Sequence, residues 1–216
     1  MPVTGRRLEP LTLDSLPDLP TRCRSCVFWE LSPVAAGQAQ RAGDTEFEKE
    51  AWLSAALLDW GSVGRLAYVD DVPAGYLLYA PAHMVPRAVA FPTAPVSGDA
   101  VLLMTGRVLD EFTGGGIGRM LVQGVAKDLT RRGVRAIEAF GLESGEAPEG
   151  DRYAAAPGCL LPADFLRSVG FKTVRAHYRH PRLRLDLRTT LSWREDVEQA
   201  IERLLGSVRQ PVLSGS

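Results

Sequence analysis

The apolar positions change period several times along the chain, and each change marks an element. Leu8 to Leu13 reads as a short opening strand, which the prolines of "DSLPDLP" then break. The next stretch, "TRCRSCVFWE" at residues 21 to 30, reads as a helix; at about 100° per residue Cys23, Cys26 and Glu30 share a face about 60° wide. From Thr45 to Trp60, Phe47, Ala51, Leu53, Ala55, Leu57 and Leu58 recur among acids at helical spacing, and Gly61 follows as a stop. The chain therefore opens strand, helix, helix. Between Gly64 and Pro81 the period shortens to that of strands. "RLAYVDDVPAGYLLYAP" is two aliphatic and aromatic runs about a turn, which signals a hairpin. A proline-rich connection leads to a buried-looking strand, "AVLLMTGRV". A glycine cluster, a helix from Ile117 to about Arg132, the strand "VRAIEAFG" and the short helix "PADFLRSV" follow. Two strands, near Lys172 to His177 and Leu183 to Leu187, come next. Ser192 and Glu195 then stand at capping-box spacing before "VEQAIERLLG", predicting a C-terminal helix over about 192–206 that ends at Gly206.

Composition narrows the class. A chain of 216 residues with 45% hydrophobic side chains can bury one sizeable core, so a single domain over 1–216 is expected, with its core at about 8–188. Lys and Arg number 25 against 26 Asp and Glu. That balance provides no broad field for nucleic acid or an anionic membrane, and neither is expected as a partner. Any anion site must be local. No apolar run is long enough to span a bilayer, and Arg6, Arg7, Glu9, Asp14 and Asp18 interrupt the start where a signal peptide would be apolar. Three cysteines are too few, and odd in number, for a disulfide framework, which favours a reduced, cytoplasmic protein.

The local anion site is the glycine cluster. "VLDEFTGGGIGRMLVQGVAKDL" joins a strand to a helix through Gly114, Gly115, Gly116 and Gly118. Glycines there let backbone N–H groups approach a ligand closely. The helix start adds a positive dipole end, and Arg119 can add a charge, so a phosphate or pyrophosphate suits the place. A dinucleotide fingerprint beginning at Gly114 needs glycine at 119, where Arg stands, and a Walker loop needs a G-K-[ST] that is absent.

"TGGGIG" does resemble the strand-loop-helix signature of the GCN5-related N-acetyltransferase family, [RQ]-x-x-G-x-[GA], with Gly116 and Gly118 in its key places and "VGF" at Val169 to Phe171 at the right distance. The resemblance covers most of residues 8 to 188. It implies an α/β fold with a mixed, mostly antiparallel sheet, splayed near the middle and flanked by helices, here with a C-terminal helical extension. It implies acetyl-CoA as donor substrate, with Val108 and Leu109 offering backbone groups to the pantetheine. Gly114, Gly115, Gly116, Ile117, Gly118 and Arg119 would then meet the pyrophosphate. Two positions depart from the pattern: Thr113 replaces the family's Arg or Gln, and Leu166 replaces a frequent tyrosine that serves as general acid.

Acetyl transfer to an amine requires a neutral amine, a polarised thioester and a protonated leaving thiolate. The strand "AVLLMTGRV" carries no carboxylate. Glu138, alone in "VRAIEAFG", is one candidate base, because apolar neighbours raise a carboxyl's pKa; the other reading is a strand-edge or solvent-facing acid. Glu30 is a second candidate, since the family's first helices line the acceptor pocket. Tyr153 and Cys159 precede the late helix, close to where the resemblance places the leaving thiolate, and either is a candidate proton donor. The reading is therefore N-acetyl transfer from acetyl-CoA to a primary amine by direct attack, on a small molecule, a protein lysine or an N-terminus. The alternatives are a non-catalytic acyl-CoA binding or sensing module and a zinc-dependent structural protein. Cys23-x-x-Cys26 invites zinc, but its second pair would be His177 and His180 across the fold, so no metal is expected. The C-terminal helix packs on its own sheet or on a second copy, which leaves a homodimer open.

Overall fold

The computed structural model describes residues 5–145 and 158–187. Its frame is a sheet of eight strands. β1 (Arg6–Pro10), β2 (Gly64–Val69), β3 (Val72–Pro81) and β4 (Ala100–Val108) form an antiparallel run. β5 (Ala136–Leu142) lies parallel to β4 and antiparallel to β8 (Arg182–Asp186), which pairs in turn with β7 (Lys172–Arg175). The short β6 (Leu161–Pro162) pairs with the end of β5. The β2–β3 hairpin turns at Asp70 and Asp71, both with positive φ (48° and 67°), as the tight turn that matches strand twist requires. The opening strand lies two residues earlier than its apolar pattern suggests. After Pro10 only Leu11 continues the pairing, through its N–H to the Gly64 carbonyl, and Thr12 and Ser15 then bond one another in a turn.

Helices cover both faces. On one side α4 (Ile117–Arg131) and α5 (Ala163–Ser168) bury Leu121, Val125, Leu129 and Leu166 against Leu77, Leu103 and Ala139. On the other, α3 (Thr45–Asp59) and the chain from Leu11 to Trp29 pack on Leu66, Leu78, Leu102, Met104 and Phe140. Residues 21–30 are not one helix. α1 is a single turn, Thr21–Arg24, after which the chain bends so that Val27, Trp29 and Glu30 all point inward. Tertiary burial overrides the helical spacing there. A helix absent from the pattern reading, α2 (Pro33–Ala42), has clear local signals: the Ser32 hydroxyl accepts the Ala35 N–H, Pro33 occupies the first turn and Gly43 closes the end at φ 81°. The expected helix at about 192–206 lies outside the described residues.

β4 and β5 pair only from Ala100–Leu102 to Ala136–Glu138. Beyond that point β4 keeps β3, β5 keeps β8 and β6, and the two strands separate. Within β4 a bulge leaves Met104 without a partner between the pairs Leu103–Tyr79 and Thr105–Leu78. The extra residue reverses the side-chain alternation, so Thr105 and Arg107 face the same side as Leu102 and Met104.

Candidate active site

Two features meet at the split. The first is the loop from β4 into α4. Gly114 and Gly116 have φ of 75° and 78°, and a Cβ on either would meet open space; the backbone conformation, not crowding, demands glycine there. Gly118 is glycine for another reason, because a Cβ would lie 3.1 Å from the Phe165 ring, where α4 crosses α5. The first helix bond of α4 runs from the Met120 N–H to the Gly116 carbonyl at 3.0 Å. The N–H groups of residues 117–119 precede it and project from the helix start. The Arg6 guanidinium donates to the Gly115 carbonyl at 2.7 Å, and Arg119 donates to the Ser168 carbonyl at 3.1 Å, which ties the loop to β1 and α5. Val108 and Leu109 lead into this loop, with the Leu109 N–H bonded to Ala74. An exposed backbone cradle at a fifteen-residue helix start fits a pyrophosphate.

The second feature is a cavity of about 560 Å³ on the α2–α3 side of β4. Tyr76, Thr105 and Arg107 form its sheet wall, residues 22–30 and the two helices form another, and Gly158 and Cys159 complete it. A column of parallel rings stands beside it: Trp29 on Phe91 (5.1 Å) and Phe91 on Phe140 (4.4 Å). The Trp29 indole N–H donates to the Cys159 carbonyl at 2.8 Å, so the column holds residue 159 in place.

Glu30 lines this cavity yet is only 2% exposed, and its carboxylate is bound to Lys49, itself 3% exposed. Lys49 also donates to the Cys26 carbonyl at 3.1 Å. The pattern reading missed Lys49, although it falls at i, i+4, i+7 with Leu53 and Ala56 on the buried stripe of α3. Glu138 is fully buried, and it is neither a strand-edge nor a solvent-facing acid. It accepts from Arg182 (2.8 Å), Arg184 (3.2 Å) and the Ser97 N–H (3.1 Å), which joins β5 to β8 and the loop before β4. It is not among the residues that line the cavity. Neither acid is placed as a free base.

The thiols are arranged differently from their spacing. Cys26 does not face Cys23; its sulfur lies 3.2 Å from that of Cys159. The two sulfurs share one hydrogen bond, and together with the Phe28 N–H it draws Cys26 down to about 7 against the opposing effect of burial. The same bond, with burial, pushes Cys159 up, so it keeps its proton. Tyr76 is a cavity group that sequence reasoning did not single out. Burial, then a hydrogen bond to Cys23, raises its phenol, which also stays protonated. Tyr153 lies outside the described residues. Among the described residues no group of three or more His, Cys, Asp or Glu side chains is placed to hold a metal, and no helix is long and apolar enough to cross a membrane. The His177 ring nitrogen accepts the N–H groups of Arg179 and His180.

No protein-family model matches the sequence, and the search of curated proteins found no match. Solved structures do match. The paia N-acetyltransferase from Thermoplasma acidophilum, solved in complex with coenzyme A, aligns over 84% of this chain and 99% of its own at 12% identity, with a TM-score of 0.52. The chain has the GCN5-related N-acetyltransferase fold. An N-acetyltransferase from Staphylococcus aureus Mu50 aligns over 85% of this chain and 99% of its own (13% identity, TM-score 0.51). The Salmonella typhimurium protein yncA, solved with its cofactor acetyl-CoA, aligns over 84% and 94% (15% identity, TM-score 0.50). At these identities the likeness is one of fold.

Proposed function

We propose that the chain transfers an acetyl group from acetyl-CoA to a primary amine held in the 560 Å³ cavity. One observation carries the reading: the β4–β5 split has an exposed glycine cradle at one end and opens beside a walled cavity of substrate size. Gly114 to Arg119 would hold the pyrophosphate, and the β4 edge near Val108 the pantetheine. The solved structures bearing coenzyme A or acetyl-CoA support this donor.

With Glu30 bound to Lys49 and Glu138 held by two arginines, no carboxylate among the described residues that line the cavity stands ready to take the amine's proton. The walls supply a different device. Arg22, Arg87 and Arg107 line the cavity, and among its described residues Glu30 is the one acid. A cationic surround disfavours an ammonium and so releases the neutral amine that direct attack requires. It also favours an acceptor that carries an anionic group, such as a carboxylate, beside its amine. Tyr76 and Cys159, both kept protonated, are the candidate donors to the leaving thiolate.

Thiol release from acetyl-CoA across paired amines, amino acids against their amides, tests the proposal, with coenzyme A binding measured separately by calorimetry. Faster turnover of the acids supports it. Tight coenzyme A binding with no acetylation of any amine, peptide or lysate protein replaces it with the binding-module reading.

A further inference from the structure

The contact between Cys26 and Cys159 joins positions 133 residues apart, and both cysteines are held by buried groups. On one side Lys49 grips the Cys26 carbonyl at 3.1 Å. On the other the Trp29 indole N–H grips the Cys159 carbonyl at 2.8 Å. Both thiols are free, and both line the cavity, so a small solute that enters it meets them. From 3.2 Å, about an ångström of approach brings the sulfurs to the bonded distance of about 2.05 Å. The hydrogen bonding is also unequal. Either sulfur can donate across the contact, but Cys26 also has the Phe28 N–H beside it, which favours the thiolate there and leaves the proton on Cys159. Cys23, the partner that the C-x-x-C spacing suggests, lies near Tyr76 instead.

We infer that Cys26 and Cys159 form a reactive dithiol site for low-molecular-weight disulfides, Cys26 attacking and Cys159 resolving. In the first step the Cys26 thiolate attacks one sulfur of R–S–S–R, forming the Cys26–S–S–R bond and releasing RS⁻. Cys159 then gives up its proton and attacks the Cys26 sulfur, forming Cys26–Cys159 and releasing the second thiolate. The Cys159 proton and one from water leave both products as RSH. The protein pair is oxidised by two electrons and the disulfide reduced by two. The new bond ties the 22–30 loop to residue 159 across the cavity wall. This chemistry depends on the thiol geometry and stands apart from the acetyl-transfer reading.

The test treats the full chain with oxidised glutathione at pH 7.5, alkylates remaining thiols, and maps peptides by mass spectrometry without reduction. The expected result for the unmodified sequence is a Cys26–Cys159 linked peptide, no retained glutathione and Cys23 alkylated; this readout needs no variant and no enzyme activity. Cys159→Ser should stop at glutathione on Cys26, Cys26→Ser should react about tenfold more slowly, and Cys23→Ser should behave as the parent. A Cys23–Cys26 link, glutathione resting on Cys159, or three alkylated thiols with no link would each overturn the inference.

Discussion

Removing either member of the Glu30–Lys49 pair decides whether Glu30 is an anchor or a proton carrier. The two side chains are 1% and 3% exposed and bound to each other, so Glu30→Gln leaves a buried ammonium and Lys49→Met leaves a buried carboxylate. Breaking a buried pair from one side costs about 3–5 kcal/mol, most of it the burden of the orphaned charge. For a chain of this length about 2–4 °C accompanies each kcal/mol, so each single variant should melt roughly 6–20 °C below the parent. The double variant Glu30→Gln with Lys49→Met removes both charges and should recover most of that loss, a coupling that a double-mutant cycle in urea measures directly. Lys49 also holds the Cys26 carbonyl, so both singles should disturb the cavity wall and raise the acceptor KM together. Single variants within about 1 kcal/mol of the parent, or a double variant no better than the sum, would refute the anchor reading. A Glu30→Gln protein of full stability but no kcat, beside an active Lys49→Met, would make Glu30 the base.

Gly116→Asp forces a residue with a side chain to φ 78° and sets a negative charge at the cradle; coenzyme A should bind at least about tenfold more weakly by calorimetry, while the fold persists. Gly118→Val drives atoms toward Phe165 at 3.1 Å and should cost about 1–3 kcal/mol in denaturant unfolding. Cys26 sits below the usual thiol value of 9.0, so stability from its thiolate is absent below about pH 7, grows between about 7 and 9, and is complete above. Its alkylation rate should therefore rise with a midpoint near 7, and Cys26→Ser should flatten the stability rise across that window. Arg107→Ala should lower kcat/KM for carboxylate-bearing amines by about tenfold or more and leave their amides nearly unchanged, which paired kinetics would read.

The elements that were legible in the sequence are those whose causes are local. β4 could be bounded at Ala100 and Val108 because its apolar run from Ala100 to Met104 is set between turn signals, and α4 because glycines precede an amphipathic stripe. α2 has equally local signals in Ser32, Pro33 and Gly43, yet the pattern reading passed over it. Residues 21–30 were not legible, because Trp29 is placed by Phe91 and Phe140, partners about 60 and 110 positions away that no local period encodes. The glycine cradle too lies tens of positions away from the chemistry it would serve. A cradle of backbone N–H groups is a property of one loop, so its glycines are visible in the sequence once the order of elements around them is read; the pyrophosphate they would hold is proposed. A base or an acid is defined by what surrounds it. Glu138 reads in "VRAIEAFG" as either a candidate base or a strand-edge acid, and becomes a rivet once β8 sets Arg184 opposite it and Arg182 alongside. Glu30 likewise reads as a candidate base until Lys49 arrives from α3. With both acids consumed by the fold, the proposed reaction would rely on the field of the cavity walls to free the amine, and the arginines that would create that field come from three separate segments. Such a field has no sequence motif, because its strength depends on low-dielectric walls that exist only after folding.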